Sequence, residues 1–242
     1  MNTFLIFYNN TTDVAFYQRE DTYMDKSLFQ KWCSRWWLYF VYALGIVMVI
    51  ALFVFWDTFS IQQRLMCSLA ILIPVHVFEE NTYPGGFFYQ MNTILRSPMP
   101  LRYPMSTIQD MFTNTMAVLL TIVLTFIDTT NGMVLIVCFF GFGEALIHTV
   151  MGIVMYKKFK CKGKKTIYGP GSITAYFTLL PLSIYAILWM KDIPLTTSDY
   201  ITGLGILIFI IVGLIRIPQV ISKKIKSPKF EFEHAEYFRK FL

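Results

Sequence analysis

Five ionisable side chains lie within stretches of this sequence that are otherwise apolar enough to cross a membrane. Three of them, His76, Glu79 and Glu80, belong to one short run, and Glu144 and His148 form a second group further along the chain. Ionisable groups are costly in hydrocarbon and usually line an interior site. Residues three and four positions apart share one face of a helix, so each group forms a single stripe. The five residues therefore predict one buried functional site.

The residue types of this predicted site suit a metal ion. Imidazole and carboxylate groups bind zinc, iron or manganese, and helix bundles hold such ions between facing helices. We expect a divalent transition metal to be held by His76, by Glu79 or Glu80, and by Glu144 and His148. Haem bound by one of the histidines is a lesser alternative. The HExxH pattern of zinc proteases does not occur at these positions.

The same residues also allow chemistry without a metal. Buried carboxylate and imidazole groups alter one another's proton affinity and can pass protons to and from a substrate. In both schemes we expect His76, Glu80, Glu144 and His148 to be the catalytic residues.

Six membrane-spanning helices are predicted to position these residues. The chain has 242 residues, of which 55% are hydrophobic and only 15% charged, and its mean hydropathy is +0.52. Soluble proteins have about 25% charged residues. A span needs roughly 20 mainly apolar residues. The stretches that qualify predict an all-α polytopic membrane bundle with spans over residues 36–56, 62–83, 106–127, 133–156, 172–190 and 200–220.

The basic residues predict the orientation of these spans. Of the 21 Lys and Arg residues, only Arg64 and Lys191 lie in the three connectors on one side, which leaves 19 on the other. The positive-inside rule then places both termini in the cytoplasm. We expect the membrane to be the cytoplasmic (inner) membrane. Topology thereby explains the net charge of +6, and no nucleic-acid partner is expected. The expected partners are the lipid bilayer and a hydrophobic small molecule.

The predicted spans divide the chain into three parts. These are a cytoplasmic N-terminal segment (residues 1–35), a six-span membrane domain (36–221) and a basic, aromatic cytoplasmic tail (222–242). The longest internal connector, residues 84–105, is rich in proline and aromatic residues. We interpret it as an interfacial segment over the site and, as a hypothesis, as a lid.

Three further polar residues extend the predicted site toward a substrate. With a rise of about 1.5 Å per residue, both histidines lie roughly 10–12 Å below the cytoplasmic ends of their helices. Asn114 arrives at a similar depth in the third span. Asn92 lies in the connector after the glutamates, and Tyr168 precedes the fifth span. We expect Asn92, Asn114 and Tyr168 to contact the substrate.

Several of these pieces resemble one known family. The run Ile73-Pro-Val-His-Val-Phe-Glu-Glu80 resembles the signature of the HXXEE family of membrane proteins, and Asn92, Glu144-Ala-Leu-Ile-His148 and Tyr168-Gly-Pro-Gly-Ser-Ile-Thr174 are consistent with it. The family's usual form of the last piece resembles Tyr-Asn-Pro-Gly, and Gly169 stands here in place of the Asn. The resemblance covers roughly residues 62–190. It implies a compact membrane domain whose His and Glu residues form the shared site.

These observations predict an integral membrane enzyme with its site in the cytoplasmic leaflet. We expect a metal-dependent hydrolase or oxidoreductase that acts on a hydrophobic or amphipathic substrate. A metal-free acid/base isomerase of a lipid-like substrate and a proton- or cation-coupled transporter are the alternatives. Internal repeats are typical of transporters, and the sequence has no second HxxEE-like segment. The sequence leaves the oligomeric state open.

Overall fold

A computed structural model of the chain describes residues 26–127 and 130–242, and all regular structure in these residues is helical. Six helices among them are long and apolar enough to cross a membrane, which confirms the predicted all-α, six-span architecture. In chain order the helices are α1 (Leu28–Val54), α2 (Ile61–Asn81), α3 (Phe87–Ile94), α4 (Thr107–Ile127), α5 (Asn131–Lys162), α6 (Ser172–Met190) and α7 (Thr197–Ile225). Residues 1–25 of the predicted N-terminal segment lie outside the described residues.

Polar caps determine where several helices begin. Helix α1 begins at Leu28, eight residues before the predicted start of the first span, because Ser27 and Gln30 form a capping box. Ser60 caps α2 with the glutamine three residues later in the same way. Thr196 and Asp199 cap α7, which therefore begins before the predicted residue 200. Each box satisfies backbone N–H groups that the first helical turn leaves free.

Helix α5 lies at the centre of the bundle. It packs against α2, α6 and α7, while α2 also packs against α1 and α4. Buried apolar side chains of α2 and α5 form one continuous core, which includes Leu69, Ile73, Met133 and Ile136. The two helices that carry the predicted site residues are therefore neighbours.

Helices α5 and α6 approach each other closely at Gly141. The Ser183 hydroxyl donates a hydrogen bond to the Val137 carbonyl oxygen (2.6 Å) and accepts one from the Gly141 amide (3.0 Å). A Cβ atom on Gly141 would lie only 2.1 Å from the Leu179 carbonyl oxygen. Glycine at this position therefore sets the distance between the two helices.

A second cluster of buried apolar residues covers one end of the bundle. It joins α3, the end of α5 and the C-terminal segment, and its members include Phe87, Phe159, Ala235, Phe238 and Phe241. The segment after α7 is thus packed against the bundle. It lies at the same end as the connector between α2 and α4.

The Gly141 contact predicts a stability difference between two glycine variants. Gly141→Ala should lower the free energy of unfolding by about 1–3 kcal/mol, the usual cost of overpacking, because the new methyl group meets backbone of α6. The matched control is Gly143→Ala on the same helix, where a Cβ atom would have no neighbour within 4 Å. Thermal unfolding of the detergent-solubilised protein measures both, and equal midpoints for the two variants would contradict the packing argument.

Candidate metal centre

Four of the predicted residues meet between α2 and α5. His76 and Glu80 are one turn apart on α2, and Glu144 and His148 are one turn apart on α5. Glu80 Oε1 lies 3.4 Å from His76 Nε2 and 3.3 Å from His148 Nε2. Glu144 Oε2 lies 3.6 Å from the Nε2 atom of each histidine. The helical spacing thus brings the two stripes face to face.

The separations within this group fit ligands around one ion. Zinc bonds of about 2.0–2.2 Å in a tetrahedral site place ligand atoms about 3.3–3.6 Å apart. One ligand atom each of His76, Glu80 and His148 lies within 4.8 Å of the others, and these three side chains are buried. Neither Nε2 atom has a hydrogen-bond partner among the described residues. The donor set and its spacing could therefore hold a metal ion.

Glu144 differs from the other three in its exposure. Its side chain is 22% exposed, against 6% for Glu80 and 0% for His148. Glu144 therefore lies on the side of the group that is accessible from outside the protein, which we call its open side.

Glu79 lies outside this group, although it is adjacent to Glu80. Its carboxylate accepts four hydrogen bonds, from the Tyr168 hydroxyl (3.1 Å), the Ile173 amide (3.1 Å), and the Thr174 amide and hydroxyl (2.7 and 2.6 Å). The two amides belong to the first turn of α6, where backbone N–H groups have no partner within the helix. Glu79 thus joins α2 to the start of α6.

Thr174 transmits this contact to His76. The hydroxyl of Thr174 has one hydrogen, which it donates to Glu79, so it accepts from His76 Nδ1 at 2.7 Å. His76 therefore carries its proton on Nδ1 when the ring is neutral. Its Nε2 atom then presents a lone pair toward Glu80 and His148. A hydrogen-bonded chain that fixes the tautomer of a histidine ligand is typical of metal sites.

His148 is held by packing. Its ring stands perpendicular to that of His76, with centroids 5.0 Å apart, and lies 5.4 Å from the ring of Phe87. A Cβ atom on Gly171 would lie 2.3 Å from His148 Cε1 and 2.9 Å from Glu80 Cγ. Gly171 has φ +89°, which glycine adopts without strain. The loop before α6 therefore comes this close to the group because it has no side chain there.

Lys164 connects this loop to the C-terminal segment. It is 2% exposed, and its ammonium group donates to the Tyr168 carbonyl oxygen. The same group lies 5.0 Å from the ring centroid of Tyr237 and 5.6 Å from that of Phe241. Burial, with Lys240 nearby, lowers the pKa of Lys164 to about 8. Burial and the Glu79 carboxylate raise the pKa of Tyr168, which keeps its hydroxyl protonated as a donor.

Asn92 forms hydrogen bonds with the backbone of the connector to which it belongs. Its amide nitrogen donates to the carbonyl oxygens of Pro100 and Met105, each at 2.8 Å, and its amide oxygen accepts from the Met105 amide at 2.7 Å. Asn92 is fully buried. The structure therefore places this predicted substrate-binding residue in the internal framework of residues 92–105.

Asn114 forms its hydrogen bonds with a residue of its own helix. Its amide donates to the Asp110 carboxylate (2.8 Å) and carbonyl oxygen (3.1 Å) one turn earlier on α4. Asp110 is 2% exposed and lies within electrostatic reach of Glu80. On α4 it is therefore Asp110, rather than Asn114, that the structure brings toward the group.

Thr174, Asp110 and Gln90 have no role that the sequence alone predicts. Thr174 is the third residue of α6, beyond the N-cap position at which threonine is a recognisable signal, so the sequence does not mark it. Gln90 is fully buried, and neither end of its amide has a partner among the described residues. A Cβ atom on Gly169 would lie 2.3 Å from Gln90 Oε1. An Asn at this position, as in the Tyr-Asn-Pro-Gly pattern, would therefore require the Gln90 side chain to move.

Comparison with protein families identifies one match. Residues 67–186 match the model of the family described as "Protein of unknown function with HXXEE motif". This stretch carries the four residues of the group together with Glu79 and Thr174. No curated protein and no solved structure matches the chain.

Two glycines with similar backbone angles test the closeness of the loop to His148. Gly171→Ala and Gly163→Ala share the strain of a positive φ (+89° and +91°), about 1–2 kcal/mol. A Cβ atom on Gly163 would have no neighbour within 4 Å, whereas one on Gly171 would meet the imidazole. Gly171→Ala should therefore lower the thermal unfolding midpoint clearly more than Gly163→Ala. Equal shifts would contradict the contact.

Proposed function

We propose, on the premise that residues 67–186 make this chain a member of the HXXEE-motif family, that it is an integral membrane enzyme with a divalent metal bound by His76, Glu80 and His148. The proposed substrate is hydrophobic or amphipathic, and the reaction is a hydrolysis or an oxidation. Zinc, iron and manganese all suit this donor set.

One observation carries the proposal. Two imidazole nitrogens that lack hydrogen-bond partners among the described residues converge on a buried carboxylate at 3.3–3.4 Å. Buried polar atoms are normally hydrogen-bonded, because leaving them unpaired costs free energy. A cation between the three groups would satisfy all of them at once. A bound divalent metal supplies Lewis-acid chemistry, in which it polarises a substrate oxygen or activates water.

Two further residues would prepare the site for this cation. Glu79, through Thr174, keeps the proton of His76 on Nδ1 and so leaves Nε2 free to bind. The same contacts hold the first turn of α6 against α2. We therefore assign Glu79 to positioning rather than to metal binding.

Glu144 would carry protons in this scheme. Its Oε2 atom is near both histidines, yet its side chain is the most exposed of the four. A carboxylate in that position can reach a substrate on the open side and still remain beside the bound cation. Glu144 would thus take a proton from the substrate or return one to it.

The proposed orientation places the site in the cytoplasmic leaflet with both termini in the cytoplasm. The supporting observation is the sequence distribution of the 21 Lys and Arg residues, of which 19 fall in the terminal segments and connectors that are predicted to share one side. Glu80 and His148 lie toward that side, since the connector after α2 and the lysine-rich end of α5 both belong to it.

Elemental analysis of detergent-purified protein is the direct test. The wild-type protein should contain about one zinc, iron or manganese ion per chain. His76→Ala and His148→Ala should each lose it, because each removes a ligand. His234→Ala is the matched control, since His234 is the third histidine of the chain and is exposed in the C-terminal segment. That variant should keep its metal.

Two outcomes would count against the metal. Folded wild-type protein without stoichiometric metal would leave the four residues as candidates for metal-free acid/base isomerisation. Metal that all three histidine variants retain equally would place it elsewhere in the protein. A chelator should also lower the unfolding midpoint of the wild type if the ion stabilises the folded state.

The Thr174 hydroxyl provides a finer test of the same site. Thr174→Val keeps the shape of the side chain but removes the group between Glu79 and His76, so metal affinity should fall by about 10–100-fold. Thr178→Val, one turn later, removes a hydroxyl that bonds to the Thr174 carbonyl oxygen and, among the described residues, to neither Glu79 nor His76, so affinity should be unchanged. Competition with a zinc-binding dye measures both. Equal affinities would remove the Glu79–Thr174–His76 chain from the metal site.

A further inference from the structure

A cavity of about 310 Å³ lies directly beside His148. Its lining includes Ile167 and Tyr168 of the loop, and Ile173, Tyr176 and Phe177 of the first turns of α6. Ligand sites in proteins begin at about this volume.

The outer wall of this cavity is apolar and exposed. Phe177 is 76% exposed, Ile173 54% and Ile167 44%. Phe177 and Ile173 belong to a helix that is long and apolar enough to cross a membrane. Exposed apolar residues on such a helix face hydrocarbon rather than water. The cavity therefore lies between the candidate metal centre and the surrounding lipid.

The polar side chains of the lining are paired, with one exception. The Tyr168 hydroxyl donates to Glu79, and the Tyr176 hydroxyl is hydrogen-bonded to the Thr149 hydroxyl. His148 lines the same cavity, and both of its ring nitrogens lack hydrogen-bond partners among the described residues. The cavity thus has an apolar wall toward the lipid and, next to Glu80, an imidazole without a hydrogen-bond partner among the described residues.

We propose that this cavity binds the hydrocarbon chain of a membrane amphiphile, with the polar group of the amphiphile beside His148. The inference rests on the proposed function, because it names the substrate class of the same site. The amphiphile enters from the bilayer between the loop and α6. Its hydrocarbon chain lies along Ile173 and Phe177, and its polar group lies beside His148.

Photo-crosslinking tests this inference. The probe is palmitic acid that carries a diazirine in its chain, added to the full chain in phosphatidylcholine nanodiscs, with labelled peptides mapped by mass spectrometry. Saturable labelling should concentrate on residues 166–177. Excess unlabelled palmitic acid should suppress it about tenfold more effectively than hexadecane, which has no polar group. Equal competition by the two, or labelling spread evenly over the lipid-facing helices, would overturn the inference.

Two variants of α6 sharpen the test. Ile173→Trp fills the cavity and should reduce labelling of residues 166–177 about tenfold, as expected when about two methylene groups lose their contacts. It preserves the Ile173 amide that donates to Glu79. Ile184→Trp is the control, since Ile184 is 43% exposed on the same helix and lies outside the lining. Undiminished labelling of folded Ile173→Trp would overturn the inference.

The metal content of the same samples separates the two proposals. Saturable labelling at the cavity in protein without metal would support the amphiphile site and contradict the metal. Stoichiometric metal in protein whose labelling is not saturable would leave the proposed metal centre standing and overturn the amphiphile site.

Discussion

Glu79 connects the two halves of the site, and the positions of the other site residues depend on its four hydrogen bonds. It belongs to α2, but all of its donors come from the loop and the first turn of α6. Through Thr174 it sets the orientation of His76, and by holding the start of α6 it keeps Gly171 against His148. A carboxylate that accepts several hydrogen bonds in a buried place gives a stronger contact than neutral partners would. The geometry around His76 and His148 therefore depends on Glu79, which does not itself belong to the group of four residues.

Burial of three of the four converging side chains costs free energy, because polar and charged groups lose their hydration. His76, Glu80 and His148 are buried, and the contacts between them are longer than good hydrogen bonds. Like-charged carboxylates such as Glu80 and the nearby Asp110 also resist joint burial. Polar pairs that only hold helices together use cheaper groups, as Ser183 does between α5 and α6. The free-energy cost of burying these side chains is the physical reason to regard the group as a functional site.

Hydropathy and helical periodicity are enough to predict the six long helices and the two stripes that carry His76 with Glu80 and Glu144 with His148. They cannot distinguish Glu79 from Glu80, because adjacent residues point about 100° apart around a helix and the packing of α5 and α6 decides which one faces the histidines. The role of Asn92 is equally hidden in the sequence. An asparagine in a connector can contact a ligand or its own backbone, and the sequence does not show the three hydrogen bonds that Asn92 forms with residues 100 and 105 in the folded chain. The role of Thr174 is hidden for the same reason, because its contacts with Glu79 and His76 form only in the folded chain.

The aromatic cover of Lys164 has a consequence for the order in which the protein is completed. The rings around its ammonium group belong to residues 237–241, which the ribosome synthesises after all six long helices. Until these residues emerge, the loop that carries Tyr168 lacks the cluster that buries its lysine. The aromatic surroundings of Lys164 are therefore complete only after residue 241 has been added, when the six long helices have already been synthesised.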